Sequence, residues 1–440
     1  SRGLKALYFN ARNFRGDKKV AERVDAQVDF DFATGSPDEE KIGKEEFSIQ
    51  WKGSVIAPDT GVYEFCVKTE NGARLWVNDV RKPLIDAWVK SGDETEFRGA
   101  VRLLGGRVYP IRLDFFKFKE KSASVILKWQ PPHREEEVIP PRCLSPDSSP
   151  QVLVVETKFP PDDSSMGYER GNSVSKEWDR ATTLAAIEIA NKVTDNLVAL
   201  SKCKDDAPDR ATKLKAFCYR LSEAAFRRPL TDEQKRFYVD KHFEVTDDLN
   251  SVVKKVVILL LKSPRFLYAE LAPEQVDDYD VATRLSFGLW DSLPDRELLA
   301  AAAKGQLRTV EQVERQAIRM LDDPKTRAKL HHFFHLWLRV DRGFDVSKDK
   351  KLFPEFDPIL LSDLLTSLDL LVDDVVWSET SDFRELLLTD AMFINQRIAK
   401  FYGVECPTGD GFHKISLDPK ERAGVLTHPY LMTGFAYHKS

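Results

Sequence analysis

The positions of apolar and polar residues divide the chain into two stretches with different periods. Up to about residue 150, the segments "YEFCVKT", "ARLWVND", "RVYPIRLDFF" and "SVILKW" alternate apolar with polar. A period of two puts one face of a strand toward a core and the other toward solvent. Turn signals separate these runs: Asp59-Thr60-Gly61, Asn71-Gly72 and Gly105-Gly106. The clearest stretch is "FCVKTENGARLWVND" (65–79), which alternates on both sides of Asn71-Gly72 and predicts a β-hairpin closed by that dipeptide. Short strands at this spacing predict an antiparallel β-sandwich over residues 1–148, with loops at one end left for a ligand.

The period then changes. "IPPRCLSPDSSP" (139–150) is rich in Pro and Ser, and residues 149–174 read as a linker and lead-in loop. From Ser175, a candidate N-cap, the pattern is helical, with Trp178, Leu184, Ile187, Ala190 and Val193 near one face. A second helix ends at Pro229, Thr231 opens a third with a capping pattern, and "DDLNSVVKKVVILLLKSP" ends near Pro264. Further helices are expected at 277–290, 294–303, 309–322, 324–339, 357–377, 381–388 and 393–402. The predicted fold is multidomain α+β: the N-terminal antiparallel β-sandwich is followed by a large all-α domain. Its helical modules are expected at 175–272 and 273–402, with 403–440 the start of a C-terminal module.

Composition adds bounds. A chain of 440 residues, 42% of them hydrophobic, accommodates two or three domains with full cores. The 66 basic and 71 acidic residues nearly cancel, which argues against a dedicated nucleic-acid binder. The longest apolar run, 252–264, is short and interrupted by lysines, so no transmembrane segment is expected. The start at Ser1-Arg2-Gly3, without Met, reads as a processed form or a fragment. Five cysteines neither demand nor exclude disulfides: Cys203 and Cys218 are close in sequence, Cys66 and Cys143 share the β region, and Cys406 is left over. No CxxCH occurs, so the chain carries no covalent haem site of its own.

Two resemblances follow from longer motifs. "GLKALYFNARNFRG", "FSIQWKGSVIAPDTGVYEF", the 65–79 stretch and "LIDAW" (84–88) resemble the protective-antigen-type module, PA14. This β-sandwich is often used to bind carbohydrate outside the cell. "EAAFRRPLTDEQ", "LLLKSPRFLYAE", "DDYDVATRLSFGLWDSLPDRELLAAAAKGQL", "LFPEFD" and "ERAGVLTHPYLMTGFAYHKS" resemble the helical domains of unknown function of large planctomycete-type cytochrome c-bearing proteins. The second resemblance implies an extracytoplasmic protein (periplasmic, cell-surface or secreted) tied to polysaccharide use or redox chemistry. Family members continue beyond the position of Ser440, so truncation or cleavage is expected. Covalent haem c is expected only on a missing module or a partner chain.

Candidate chemistry is sparse. In the β module, Glu70 and Asn71 at the turn, with Asp86 and Trp88 after it, are the candidate carbohydrate-binding residues. An aromatic face covers the C–H side of a sugar while short polar groups bond its hydroxyls. Calcium-dependent relatives chelate the ion with paired aspartates; here the turn reads Glu70-Asn71-Gly72, which weakens the case for Ca2+ at the β module without closing it. In "HHFFHLWL", His331 and His335 are four apart and share a helical face, a weak candidate for a metal. The HExxH pattern of zinc proteases is absent, and packing is the expected role of this segment, with Phe334 and Trp337 among the buried aromatics. The loop "DDSSMGYERG" (162–171) gathers acid, hydroxyl and base groups, with domain docking its expected role. His428, Tyr437 and His438 are remote candidates for an axial ligand or electron path, and no GxSxG elbow supports a serine nucleophile.

The leading functional reading is a carbohydrate- or partner-binding subunit of a larger, cytochrome c-associated assembly. Its rivals are a polysaccharide-active or redox enzyme, with its site at the β/α junction or in a missing C-terminal part, and a cell-surface structural protein. A binding protein should show an open aromatic cluster near Trp88, and an enzyme should show converging groups with shifted pKa values.

Overall fold

The computed structural model describes residues 2–89, 93–119, 122–161, 175–245, 248–268, 275–409, 411–420 and 422–436. The chain forms two compact units, one of residues 1–152 with 327–440 and one of residues 153–326. The residues expected as a module at 175–272 fall in the second unit and those at 403–440 in the first, while the 273–402 stretch is shared between the two at residues 326–327.

Among the described residues, the first unit begins with the strands β1 (Leu4–Phe9), β2 (Lys19–Asp25), β3 (Asp29–Ala33), β4 (Glu46–Ile56), β5 (Gly61–Thr69), β6 (Gly72–Val77), β7 (Ile85–Ala87), β8 (Glu96–Leu103), β9 (Val108–Phe118), β10 (Ala123–Gln130), β11 (Glu137–Val138) and β12 (Leu144–Ser145). One sheet runs β2-β1-β4-β9-β6-β7, with β12 beside β4. The other runs β11-β10-β5-β8, with β3 beside β10. Their inner faces bury Phe47, Trp51, Tyr63, Phe65, Phe115 and Trp129, as the alternation predicts. Asp25 is buried among them and satisfied: it accepts from Tyr8 Oη at 2.6 Å, Trp51 Nε1 at 2.8 Å and Arg23 Nε at 2.8 Å.

The predicted hairpin is corrected. β5 and β6 lie in different sheets, so residues 70–71 carry the chain from one layer to the other. Neither Asn71 nor Gly72 has the positive φ of a type I′ turn. Asn71 is there for its side chain, which is buried and donates from Nδ2 to the Ser122 carbonyl at 3.1 Å. Gly72 is there for space, since a Cβ at that position would lie 2.0 Å from the Phe116 ring. The alternation was right about the strands and silent about their partners, because a period of two fixes a strand's faces and not its neighbour.

The second unit is helical. Its longer elements are α1 (Lys176–Asp195), α2 (Arg210–Phe226), α3 (Leu249–Leu261), α4 (Asp278–Trp290), α5 (Arg296–Ala303) and α6 (Val310–Leu321). Ser175 caps α1 by accepting the Trp178 N–H, and Thr231 forms a capping box with Gln234. The buried face of α1 differs from the expected one. Ala181, Thr182, Ala185, Ala186, Ala190 and Val193 are buried, whereas Leu184 is 46% and Ile187 39% exposed. Small residues let α1 lie close against α3, whose Val252, Val253, Val256, Val257 and Leu260 fill the contact. Pro264 opens a further short helix from the Ser263 cap, since proline's missing N–H costs nothing at a first helical position. All five cysteines are unpaired.

The chain then returns through α7 (Pro324–Trp337), α8 (Pro358–Val376) and α9 (Gln396–Tyr402). α8 is the central element of the first unit's helical core, where Leu360, Leu364, Leu368, Val372 and Val375 meet Phe334, Leu386, Ile398 and Tyr430. Trp337, expected inside, is 45% exposed. The helix expected from 393 begins later, because Asn395 caps α9; Ala391–Ile394 instead pairs as a strand with His413–Ser416. Among the described residues, no helix is long and apolar enough to cross a membrane.

Candidate functional site

Two side-chain clusters in the first unit carry chemistry. The first is on the outer side of the seven-stranded sheet. Antiparallel register sets Arg74 of β6 opposite Asp86 of β7, and Arg74 Nε donates to Asp86 Oδ1 at 2.8 Å. That hydrogen bond holds the Asp86 carboxyl below the usual carboxylate range. The Trp88 backbone N–H donates to the same oxygen at 3.2 Å, which fixes the chain just beyond β7. The half-buried Trp88 ring packs against Phe116 at 4.5 Å and Phe14 at 6.0 Å, with the Arg74 guanidinium 5.0 Å from its centroid. Arg12 lies 4.7 Å from the Phe118 ring and 5.8 Å from that of Phe116.

Of the four expected binding residues, the structure brings Asp86 and Trp88 together. Glu70 is exposed at the crossing between sheets, where its carboxylate accepts from the Ser122 hydroxyl. Asn71 is turned inward and offers no group to a ligand on this face. Sequence reasoning missed Arg12, Phe14, Arg74 and Phe116. Arg74 had a readable signal, since alternation in "ARLWVND" places it on the outward face. Phe14 and Arg12 lie in a loop with no period. The cluster supplies an aromatic surface flanked by guanidinium donors and a carboxylate acceptor, the groups that engage a sugar's C–H face and hydroxyls.

The second cluster is built from separate parts of the chain. Asp59 lies between β4 and β5, anchored by a backbone exchange with Tyr63 Oη: the Asp59 N–H donates at 3.0 Å and its carbonyl accepts at 2.9 Å. Arg134 lies in the loop after β10. His331 and His335 project from α7, and Asp369 from α8. His331 Nδ1 is 3.3 Å from Asp59 Oδ1, and its Nε2 is 3.0 Å from Asp369 Oδ1. His335 Nε2 is 2.7 Å from the same Asp369 oxygen. Arg134 donates to Asp369 Oδ2 and, from its other terminal nitrogen, to Thr366 Oγ1 at 2.8 Å. The loop after β10 is held further by Ser362 Oγ, which accepts the Glu135 N–H at 3.1 Å, and by His133 stacked on Phe344 at 3.9 Å. A cleft of about 430 Å³, lined by Val62, Glu64, Pro132, Phe344 and Ser362, shares Arg134 with this cluster.

The electrostatics are strong because the groups are largely out of water. Burial opposes the charge of His331, but Asp369 and Asp59 outweigh it and push its pKa up to about 10. Burial likewise opposes ionisation of Asp369, yet His331, Arg134 and His335 hold it well below the usual range. Asp59 is lowered in the same way, against burial, by His331 and Arg134. One donor atom each from Asp59, His331 and His335 lies within 4.8 Å of the other two, so among the described residues these three are a group that could hold a metal. The helical spacing of His331 and His335 was readable; Asp59 had read as turn chemistry, and Arg134 and Asp369 carried no local signal.

His428 has a different role. Burial lowers its pKa to about 3, so it is neutral. Its Nδ1 accepts the Tyr430 N–H at 3.3 Å, which leaves the proton on Nε2, 3.1 Å from Ser367 Oγ. The Ser367 hydroxyl donates to the Phe393 carbonyl. This is the wrong tautomer for a base acting on Ser367, and both side chains are sealed in the core. The 162–171 loop, Tyr437 and His438 lie outside the described residues.

Comparison with known proteins places both halves. Residues 1–142 match the PA14 domain. Residues 276–404 match PSD4, described as a protein of unknown function (DUF1592), so the chain joins a PA14 domain to a DUF1592 domain. The anti-sigma-I factor RsgI3 of Acetivibrio thermocellus is 35% identical over 148 residues, covering 34% of this chain and 22% of that protein. The chain therefore spans about a fifth of the length of the curated relative it matches. Among solved structures, an anti-sigma factor domain-containing protein matches at 33% identity and a TM-score of 0.31, covering 35% of this chain and 52% of its own. A PA14 sugar-binding domain from an RTX adhesin matches at 13% identity and a TM-score of 0.26, covering 33% and 98%.

Proposed function

We propose that this protein is an extracytoplasmic binding subunit whose PA14 domain engages carbohydrate through the outer-face cluster of Arg74, Asp86, Trp88 and Phe116. One observation carries the reading: the half-exposed Trp88 ring is packed against Phe116, with the Arg74 guanidinium over it and the Asp86 carboxylate beside that guanidinium. A ring held in this way presents an aromatic surface without first having to be ordered, which reduces the entropic cost of binding. The helical remainder serves as the scaffold through which the subunit joins a larger, redox-linked assembly, with any haem on another module or chain. Calcium at the β module belongs to the same proposal. A glycan array probed with the wild type and with Trp88→Ala tests it. Retention of a glycan class by the wild type and its loss in the variant is the expected result; equal retention by both overturns the site.

A second reading, an enzyme acting where the sandwich loops meet α7 and α8, is favoured by the convergence of Asp59, His331, His335 and Asp369. Turnover of a polysaccharide or redox substrate, abolished by His335→Ala, is its test.

A further inference from the structure

We infer that Asp59, His331 and His335 form a binding site for a divalent transition-metal ion of the zinc class, with Asp369 and Arg134 as the shell that orients it. The argument begins with the donors. Two imidazoles four residues apart on α7 share a face, and the loop between β4 and β5 brings a carboxylate to them. Donor atoms on a tetrahedral zinc-class ion stand roughly 3.3–3.6 Å apart, given bonds of about 2.0–2.2 Å. The Asp59–His331 pair is already at 3.3 Å, and all three donor atoms lie within 4.8 Å of one another.

The surroundings also hold the ligands in place. At His331 the ion takes Nδ1, the nitrogen facing Asp59, and Nε2–H then donates to Asp369 Oδ1 at 3.0 Å. A carboxylate on the far nitrogen of a ligating histidine fixes its tautomer and raises its basicity. Asp369 is itself held by Arg134, whose second terminal nitrogen is tied to Thr366. Two nitrogens and one oxygen suit zinc, cobalt or nickel, and not the hard all-oxygen preference of calcium or magnesium. Three protein donors leave a fourth position for water. Access exists, since the side chains of Asp59, His331, His335 and Asp369 are each 14–23% exposed.

Calorimetric titration of the metal-stripped full chain with ZnCl2 at pH 7.5, with cobalt absorption spectra in parallel, tests the site. The expected result is one equivalent of Zn2+, no competition from millimolar Ca2+ or Mg2+, and an intense visible cobalt band. His335→Ala should weaken binding by at least about 100-fold, and Asp369→Asn, which removes the orienting carboxylate, by about 10–100-fold. X-ray absorption on the zinc-loaded wild type decides the matter should a variant fail to fold. Two imidazole nitrogens with oxygen around the ion support the site. A sulfur shell, or no binding at all, overturns it, as does full affinity in a folded His335→Ala.

Discussion

Two faces of one sandwich have been put to opposite uses. The outer side of the seven-stranded sheet leaves the Arg74–Asp86 pair between β6 and β7 exposed. At the loops holding Asp59 and Arg134, residues 327–440 fold back and cover the surface, so charge is buried and must be paired across more than two hundred residues of chain. The two surfaces answer mutation differently. An exposed pair such as Arg74–Asp86 adds little to stability. Removing one partner from a buried cluster leaves an uncompensated charge. The open face can therefore serve a ligand at small cost to the fold, whereas the covered face holds the unit together.

The largest effect expected is that of Arg134→Ala. It strips Asp369 of its guanidinium and should destabilise the first unit by about 3–5 kcal/mol in urea unfolding. A loss under about 1 kcal/mol would place this cluster with ordinary surface pairs. Next is Gly72→Val, which drives a side chain into the Phe116 ring and should cost about 1–3 kcal/mol while displacing Trp88. Crystallography or Trp88 side-chain shifts would check the displacement.

Two buried histidines give a pH test of the same contrast. His331 has a folded pKa raised to about 10, above its unfolded value of about 6.5. Its contribution is complete below pH 6.5 and is lost as pH rises toward 10. His428 has the opposite sign: its folded pKa is lowered to about 3, so its contribution is present above pH 6.5 and is lost as pH falls toward 3. Stability should peak near neutral pH. His331→Gln should flatten the alkaline limb of the curve and leave the acid limb in place; an unchanged alkaline limb would contradict the pairing with Asp59 and Asp369. The smallest effect belongs to Asp86→Asn, within about 1 kcal/mol for an exposed pair, with its consequence expected in ligand affinity.

How much of this was legible follows from the range of each signal. Alternation gave the strands and placed Trp88 after β7. It misread Asn71-Gly72 as a hairpin turn because the same dipeptide serves where an inward amide and a missing Cβ are needed. Helical spacing put His331 and His335 on one face, but their carboxylates come from residue 59 and from a different helix, contacts that no local pattern encodes. The face of α1 was misjudged toward Leu184 and Ile187 because hydrophobicity outweighs size on a periodicity reading, while close packing against α3 selects alanine.

The central claim is that the Trp88 face takes up carbohydrate. Its most direct test is the indole and arginine side-chain NMR spectrum of the intact chain titrated with a glycan that the protein retains. The account predicts shifts at Trp88 Nε1–H and Arg74 Nε–H, with the core indoles Trp51 and Trp129 unmoved. Saturable binding that leaves Trp88 and Arg74 unshifted would contradict it.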